Sequence, residues 1–184
     1  MNTFYFLRHG ETVKDPERPS TEWQLTQETE LELRKLATDP LYSKIKIIYT
    51  SHEDKAIRTA VPFCEKLKIC PVISTGLEEV HRGNTFLTDE DFKKLKRLKL
   101  EDLDSNPDGG ESARTALTRF VQTIKHIDES HRNEHILIVS HGTILALYFA
   151  YLKNDYAELY LYWSKIPFCG VGITNNHSVI KDFF

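Results

Sequence analysis

Two stretches far apart in the chain share one grammar. Arg8-His9-Gly10-Glu11-Thr12 follows the β-rich run Thr3-Phe4-Tyr5-Phe6-Leu7, and Ser140-His141-Gly142-Thr143 follows Ile136-Leu137-Ile138-Val139 and leads into a helical pattern. An imidazole is both a nucleophile and a proton carrier near neutral pH. An arginine beside it adds a planar fork that holds two oxygens of an anion at once, and a glycine lets the backbone come close. A single such peptide is as readily a surface turn as a site. Two of them, each just past the carboxyl end of a strand, bring both imidazoles to the sheet edge where open α/β folds bind ligands.

The elements that must hold these residues are legible from periodicity. The runs at 3–7, 45–49 and 136–139 are apolar without alternation, as in strands covered on both faces by helices, which argues for a parallel buried sheet. Between them, Ala113, Ala116, Leu117, Phe120, Val121, Ile124 and Ile127 keep to one helical stripe over residues 112–127. Thr88-Asp89-Glu90-Asp91 has the pattern of a capping box and leads into Phe92, Leu95 and Leu98. The rest of that helix, Lys93, Lys94, Lys96, Arg97 and Lys99, followed by Glu101, Asp102 and Asp104, reads as a solvated charged face. Residues 171–174 and 178–181, split by Asn175-Asn176-His177, read as a hairpin or edge strand. The expected fold is α/β, a three-layer α/β/α sandwich with a mostly parallel central sheet. Glycine (8) and proline (7) are thinly spread, and without a linker or repeat residues 1–184 read as one domain.

Composition narrows the classes. With 24 Lys+Arg against 27 Asp+Glu and a formal charge of −3, the chain lacks the broad basic footprint of a nucleic-acid binder, so any anion must be met locally. The longest apolar stretch, 144–152, is well short of the roughly 20 residues needed to span a bilayer, and the first strand runs into Arg8 without a cleavage site. The expectation is an unprocessed cytoplasmic protein with no membrane partner. Cys64, Cys70 and Cys169 are odd in number and lack metal-ligand spacing, so each is expected to be a small buried hydrophobe, with no disulfide and no metal site. His52, His81, His126, His131, His135 and His177 are expected mostly in solvent, His52 and His81 being nearest to motif positions. Tyr156, Leu159, Tyr160, Leu161, Tyr162 and Trp163 form an aromatic-rich stretch suited to the core or to an interface, the core being expected; the oligomeric state is left open.

In order and over nearly the whole chain, these residues resemble the histidine phosphatase superfamily, also called phosphoglycerate mutase-like. Phe6-Leu7-Arg8-His9-Gly10-Glu11-Thr12 resembles its nucleophile motif, and Trp23-Gln24-Leu25-Thr26 the Leu-Thr helix start that follows. Tyr49-Thr50-Ser51 through Lys55-Ala56-Ile57-Arg58-Thr59-Ala60 resembles the second phosphate-binding motif, and Leu77-Glu78-Glu79 the stretch carrying the acid. Gly109-Gly110-Glu111-Ser112 and Val139-Ser140-His141-Gly142 complete the set. The resemblance implies His9 as a nucleophile that takes the phosphoryl group, and Arg8 as a phosphate fork. It implies His141, with the backbone amides from Gly142 onward, as donor to the same oxygens, Glu79 rather than Glu78 as general acid, and 81–112 as a short helical cap. Burial would raise the Glu79 pKa and the surrounding cations would lower it.

The chain departs from the pattern at one site position. Lys55 stands where the family usually has arginine, keeping the charge and losing the fork. Lys55 could bind phosphate as a point charge, which is the preferred expectation. Arg58, three residues on, could swing in, or Arg82 could restore a guanidinium from another loop. Asp15 stands where many members have asparagine and, if it faces inward, would select against the most highly charged substrates.

The implied activity is hydrolysis of a small phosphomonoester, with neither metal nor cofactor required. The mutases of the family carry a longer insertion between acid and second histidine and a closing C-terminal tail, whereas here the 79–141 interval is compact and the chain ends soon after Ile180. A phosphate-binding or regulatory protein with weak catalysis is the alternative that the Lys55 substitution keeps open. A protein-phosphohistidine phosphatase would need a shallow open site, and the helix predicted within 81–112 places that reading lower.

Overall fold

The computed structural model describes residues 1–83 and 87–184. Six strands form one sheet: β1 (Thr3–Arg8), β2 (Ile47–Thr50), β3 (Val72–Ile73), β4 (His135–Ser140), β5 (Val171–Asn175) and β6 (Ser178–Lys181). Their order is β3-β2-β4-β1-β5-β6, the first four mutually parallel, β5 antiparallel to β1, and β6 turning back antiparallel to β5. The helices α1 (Gln27–Leu36), α2 (Asp54–Leu67), α3 (Asp89–Glu101), α4 (Ala113–Ser130), α5 (Gly142–Lys153) and α6 (Leu159–Lys165) flank it. Successive side chains of a strand point to opposite faces. Accordingly Phe4, Phe6, Ile136 and Ile138 pack with α4 and α5, while Tyr5, Leu7, Ile48, Leu137 and Val139 pack with α1 and α2. The result is the three-layer sandwich expected, with both central strands buried on both faces.

The register sets up the site. Arg8 is the Cα partner of Ser140, and Val139 is the partner of Thr50, so β1, β4 and β2 end side by side and release His9, His141 and Ser51 at one edge. The strand β3 escaped the sequence reading because it is two residues long and both, Val72 and Ile73, are exposed.

The face of α3 is not the one periodicity indicated. Leu98 is 47% exposed, whereas Lys96 and Lys99, read as solvated, are only 4% and 2% exposed. Each buried ammonium has its own acceptors, which is what makes its burial tolerable. Lys99 Nζ donates to the carbonyls of His81 (3.3 Å) and Glu111 (2.9 Å) and lies 2.6 Å from Asp108 Oδ1, while Lys96 Nζ donates to Thr143 Oγ1 at 2.7 Å. Lys93, Lys94 and Arg97 do face solvent. An ion pair from Lys14 to Asp89 ties the start of α3 to the loop after β1. Residues 84–86 of the segment expected to form a cap lie outside the described residues.

Other expectations divide. Cys169 is buried and Cys64 half-buried, but Cys70 is exposed in the loop between α2 and β3. His131 and His135 are half-buried, each 3.0 Å from a tyrosine hydroxyl, of Tyr49 and Tyr5 respectively. In the aromatic stretch Leu159 is buried and Tyr160, Tyr162 and Trp163 pack against the core, while Tyr156 and Leu161 are exposed. Among the described residues no helix is long and apolar enough to cross a membrane.

Candidate active site

His9 leaves the end of β1 buried, with its amide bonded to the Ser140 carbonyl at 2.9 Å. Its Nδ1 lies 2.7 Å from the Gly10 carbonyl oxygen. A carbonyl only accepts, so Nδ1 carries the proton and Nε2 keeps its lone pair. Burial pushes the His9 pKa well below the ordinary imidazole value, and His141, Lys55 and Arg8 push it the same way, whereas the Gly10 bond opposes them. The ring is therefore neutral at pH 7. The loop behind it is braced, since the Gly10 amide donates to Thr59 Oγ1 (3.0 Å) and that hydroxyl donates to the Lys55 carbonyl (2.7 Å).

Arg8 donates from Nη1 to the Ile166 carbonyl and stacks 4.0 Å from the centroid of Phe168. Its Nε is buried and has no hydrogen-bond partner among the described residues. Gly142 permits this packing: a Cβ there would stand 2.9 Å from Arg8 Nε.

His141 is fully buried, its ring 5.2 Å from that of His9. Here it is Nε2 that is held, 2.8 Å from Ser51 Oγ and 3.2 Å from Glu53 Oε1. Its Nδ1 is buried without a partner among the described residues. Burial lowers the His141 pKa to about 4, the Glu53 carboxylate pulling upward and Lys55 downward.

Glu79 lies against the start of the helix that His141 opens. Its carboxylate accepts from the amides of Thr143 (3.0 Å), Ile144 (3.0 Å) and Val80 (2.8 Å). Burial alone would raise its pKa, but Lys96, His141 and these amides outweigh it and hold the group well below the ordinary carboxylate range. In the contest between burial and cations, the cations and amides prevail, and Glu79 is ionised in the unliganded protein. Glu78 is not a solvated loop carboxylate either. It is buried, 2.9 Å from His52 Nδ1, 3.0 Å from Arg119 Nη1, and an acceptor for the Gly76 amide at 2.7 Å.

The remaining candidates are dispersed. Lys55 is buried beside the two histidine loops, its Nζ 2.7 Å from Glu53 Oε2 and donating to the Ser20 carbonyl at 2.7 Å. Arg82 is half-buried, its guanidinium 5.9 Å from the Trp23 ring and 5.4 Å from the Phe92 ring, with the Glu79, Asp108 and Glu53 carboxylates around it. Arg58 is exposed and makes no hydrogen bond or ion pair among the described residues, so it is not brought together with the others. Asp15 is taken up in a turn, with the Glu17 amide at 2.9 Å and Arg18 at 3.5 Å.

Sequence reasoning missed Glu53, Lys96 and Arg119. Arg119 braces the acid loop by bonding the Gly76, Glu78 and Glu79 carbonyls and the Glu111 carboxylate. The available signals were faint: an acid two residues before Lys55, and a lysine four residues after Phe92 on the stripe that turns inward. No group of three or more His, Cys, Asp or Glu side chains among the described residues is arranged to hold a metal ion.

The sequence model described as histidine phosphatase superfamily (branch 1) matches residues 4–174. No curated protein matches the sequence. Solved structures do match in fold. The mycobacterial glucosyl-3-phosphoglycerate phosphatase superposes with a TM-score of 0.80 at 19% identity, over 99% of this chain and 97% of that one. Bacillus stearothermophilus YhfR gives 0.80 at 23% identity over 100% and 96%. The α-ribazole phosphatase of Shigella flexneri gives 0.76 at 19% identity over 99% and 95%.

Proposed function

The chain belongs to the histidine phosphatase superfamily, and from that premise we propose that it hydrolyses a small phosphomonoester in the cytoplasm through a phosphohistidine on His9, without a metal ion. The observation that carries this reading is the pinned ring of His9. With Nδ1–H bonded to the Gly10 carbonyl, the Nε2 lone pair is available throughout the neutral range. Residues 1–184 act as one domain in this reading, with 81–112 as a cap over the site.

In the first step Nε2 of His9 attacks phosphorus and the ester P–O bond breaks. Charge on the equatorial oxygens is met by Arg8, whose Nε lacks a partner, by His141 and the amides from Gly142 onward, and by Lys55 and Arg82. The departing oxygen takes a proton from Glu79. Because that carboxylate is ionised in the free protein, it takes up a proton from solvent as the substrate binds, the dianionic phosphoryl group raising the Glu79 pKa and competing for its amide donors. In the second step water attacks the phosphohistidine and gives its proton to Glu79, and the P–N electron pair returns to His9. Phosphatases among the structural neighbours, one solved with inorganic phosphate, support the reaction class.

One observation favours a second reading, a phosphate-binding protein with little turnover: the Lys55 ammonium is already met by Glu53 and Ser20. Hydrolysis of a generic aryl phosphate in excess EDTA separates the two. Turnover by the wild type that is lost in His9→Ala is the expected result. Equal rates in the two proteins, or none in the wild type, would remove the enzyme reading.

A further inference from the structure

Glu53 is the buried carboxylate that the reaction above leaves unused. It stands just before α2 with 3% exposure and three partners: Lys55 Nζ at 2.7 Å from Oε2, and the Glu79 amide (3.0 Å) and His141 Nε2 (3.2 Å) at Oε1. An ionised carboxylate only accepts, so its approach to Nε2 requires the ring proton to sit there, with Ser51 Oγ as a second acceptor. In the neutral ring Nδ1 then bears a lone pair, and this atom is buried without a partner among the described residues. A lone pair repels a phosphoryl oxygen, whereas a second N–H would bind it. Lys55 meanwhile has two of its donor directions taken, by Glu53 and by the Ser20 carbonyl.

We infer that Glu53 is a positioning residue of the phosphate seat: it fixes His141 through Nε2 and supplies the countercharge that lets Nδ1 gain a proton when a phosphoryl group arrives. A proton on His141 then faces the anion in addition to the Lys55 ammonium, two of whose donor directions are taken, and phosphate binding is proton-coupled. The inference rests on the phosphate seat of the proposed function and deepens it. One proton moves from solvent or from a substrate monoanion to Nδ1, and only an N–H bond forms. The charged and titratable groups around His141 are Glu53 just before α2, Lys55 from α2, Arg8 and His9 from the end of β1, Glu78 and Glu79 from the acid loop, and Lys96 from α3. Burial lowers the His141 pKa most, and among the charges Glu53 acts first, raising it.

Imidazole 1H–15N spectra recorded with saturating inorganic phosphate test this without requiring turnover. In the wild type the bound anion converts His141 from a singly to a doubly protonated ring. In Glu53→Gln, whose amide oxygen still accepts from Nε2, the pH at which bound His141 loses its Nδ1 proton falls by about one unit or more. Glu53→Asp recovers part of that shift. Ser51→Ala, which removes the neutral acceptor and keeps the carboxylate, retains phosphate-dependent protonation and guards against a Gln variant that fails to fold. A wild-type ring that stays neutral with phosphate bound, an unchanged shift in Glu53→Gln, or loss of protonation in Ser51→Ala would overturn the inference. A wild type that binds no phosphate removes both the seat and the inference. Aryl phosphate turnover with a His141 insensitive to Glu53 removes the inference alone.

Discussion

His9 and His141 leave neighbouring parallel strands at the same register, each followed by glycine, yet opposite nitrogens of the two rings are held. His9 is pinned at Nδ1 by the next carbonyl in its own chain, a local contact that frees Nε2. His141 is pinned at Nε2 by Ser51 and Glu53, two residues remote in sequence, which leaves Nδ1. A local backbone carbonyl cannot follow a change in charge, so His9 is fixed as a neutral donor of electrons. A carboxylate can stabilise an imidazolium, so His141 is suited to receive a proton. The same peptide grammar yields two jobs because the residue that faces the back of each ring differs.

The largest effect should therefore come from the first loop. His9→Ala is expected to lose aryl phosphate turnover by at least about 10³-fold and to form no phosphoenzyme, since in the proposed mechanism no other group replaces His9 as nucleophile. His141→Gln should cost less, about 10²–10³-fold, the scale of removing one donor to developing negative charge. It should still accumulate label on His9 after rapid acid-free quench and mass spectrometry. Label on residue 141 of the wild type, or equal losses with no phosphoenzyme in either variant, would break the distinction between the loops.

The two glycines carry the comparison into packing. A Cβ on Gly10 would lie 2.2 Å from Thr29 Cγ2, a side chain of α1 buried under the loop, so Gly10→Ala is expected to destabilise the fold by about 1–3 kcal/mol. A Cβ on Gly142 would instead press on the Arg8 guanidinium at 2.9–3.0 Å. Gly142→Ala should displace Arg8, the proposed phosphate fork, and lower kcat/KM by about tenfold or more, while its urea midpoint stays closer to wild type than that of Gly10→Ala. Reversal of that order, with Gly142→Ala the less stable and fully active, would show that the second loop serves the fold and the first the site.

What sequence could and could not foretell follows the same division between local and remote partners. Strand, His-Gly and turn are local, and so β1, β4, α4 and the edge hairpin were readable, together with the placement of His9 and His141 on one sheet edge. The burial of Lys96 and Lys99 was not, because their acceptors come from residues 81, 108, 111 and 143, and no helical pattern encodes the arrival of a carbonyl from another segment. Glu53 was invisible for the same reason: beside Lys55 in sequence it reads as half of a surface ion pair, and only the convergence of β2, β4 and the acid loop turns it into the back wall of His141. Arg58, equally prominent in sequence, lies one turn further along α2 and faces solvent.

The smallest effect, and the one that reads both rings together, is on stability. Unfolded, each imidazole titrates near its ordinary value of 6.5; folded, His9 does so well below that and His141 near about 4. Between those limits the unfolded chain binds more protons, so the stability they contribute is fully present above about pH 6.5 and drains as pH falls through the window. Each adds a slope of up to about 1.4 kcal/mol per pH unit. Glu53 and Glu79, lowered from 4.5, act with the same sign but only below that value, leaving pH 6.5 to 4.5 to the histidines. The urea midpoint of the wild type should fall across that interval, and His9→Gln and His141→Gln should each flatten the fall. Saturating inorganic phosphate should flatten the fall and leave the His9 share, because a His141 ring already protonated in the folded complex no longer releases a proton on folding, and a proton taken up by Glu79 in the complex acts in the same direction. A slope that phosphate leaves unchanged would mean that both rings are held as His9 is, by contacts indifferent to charge.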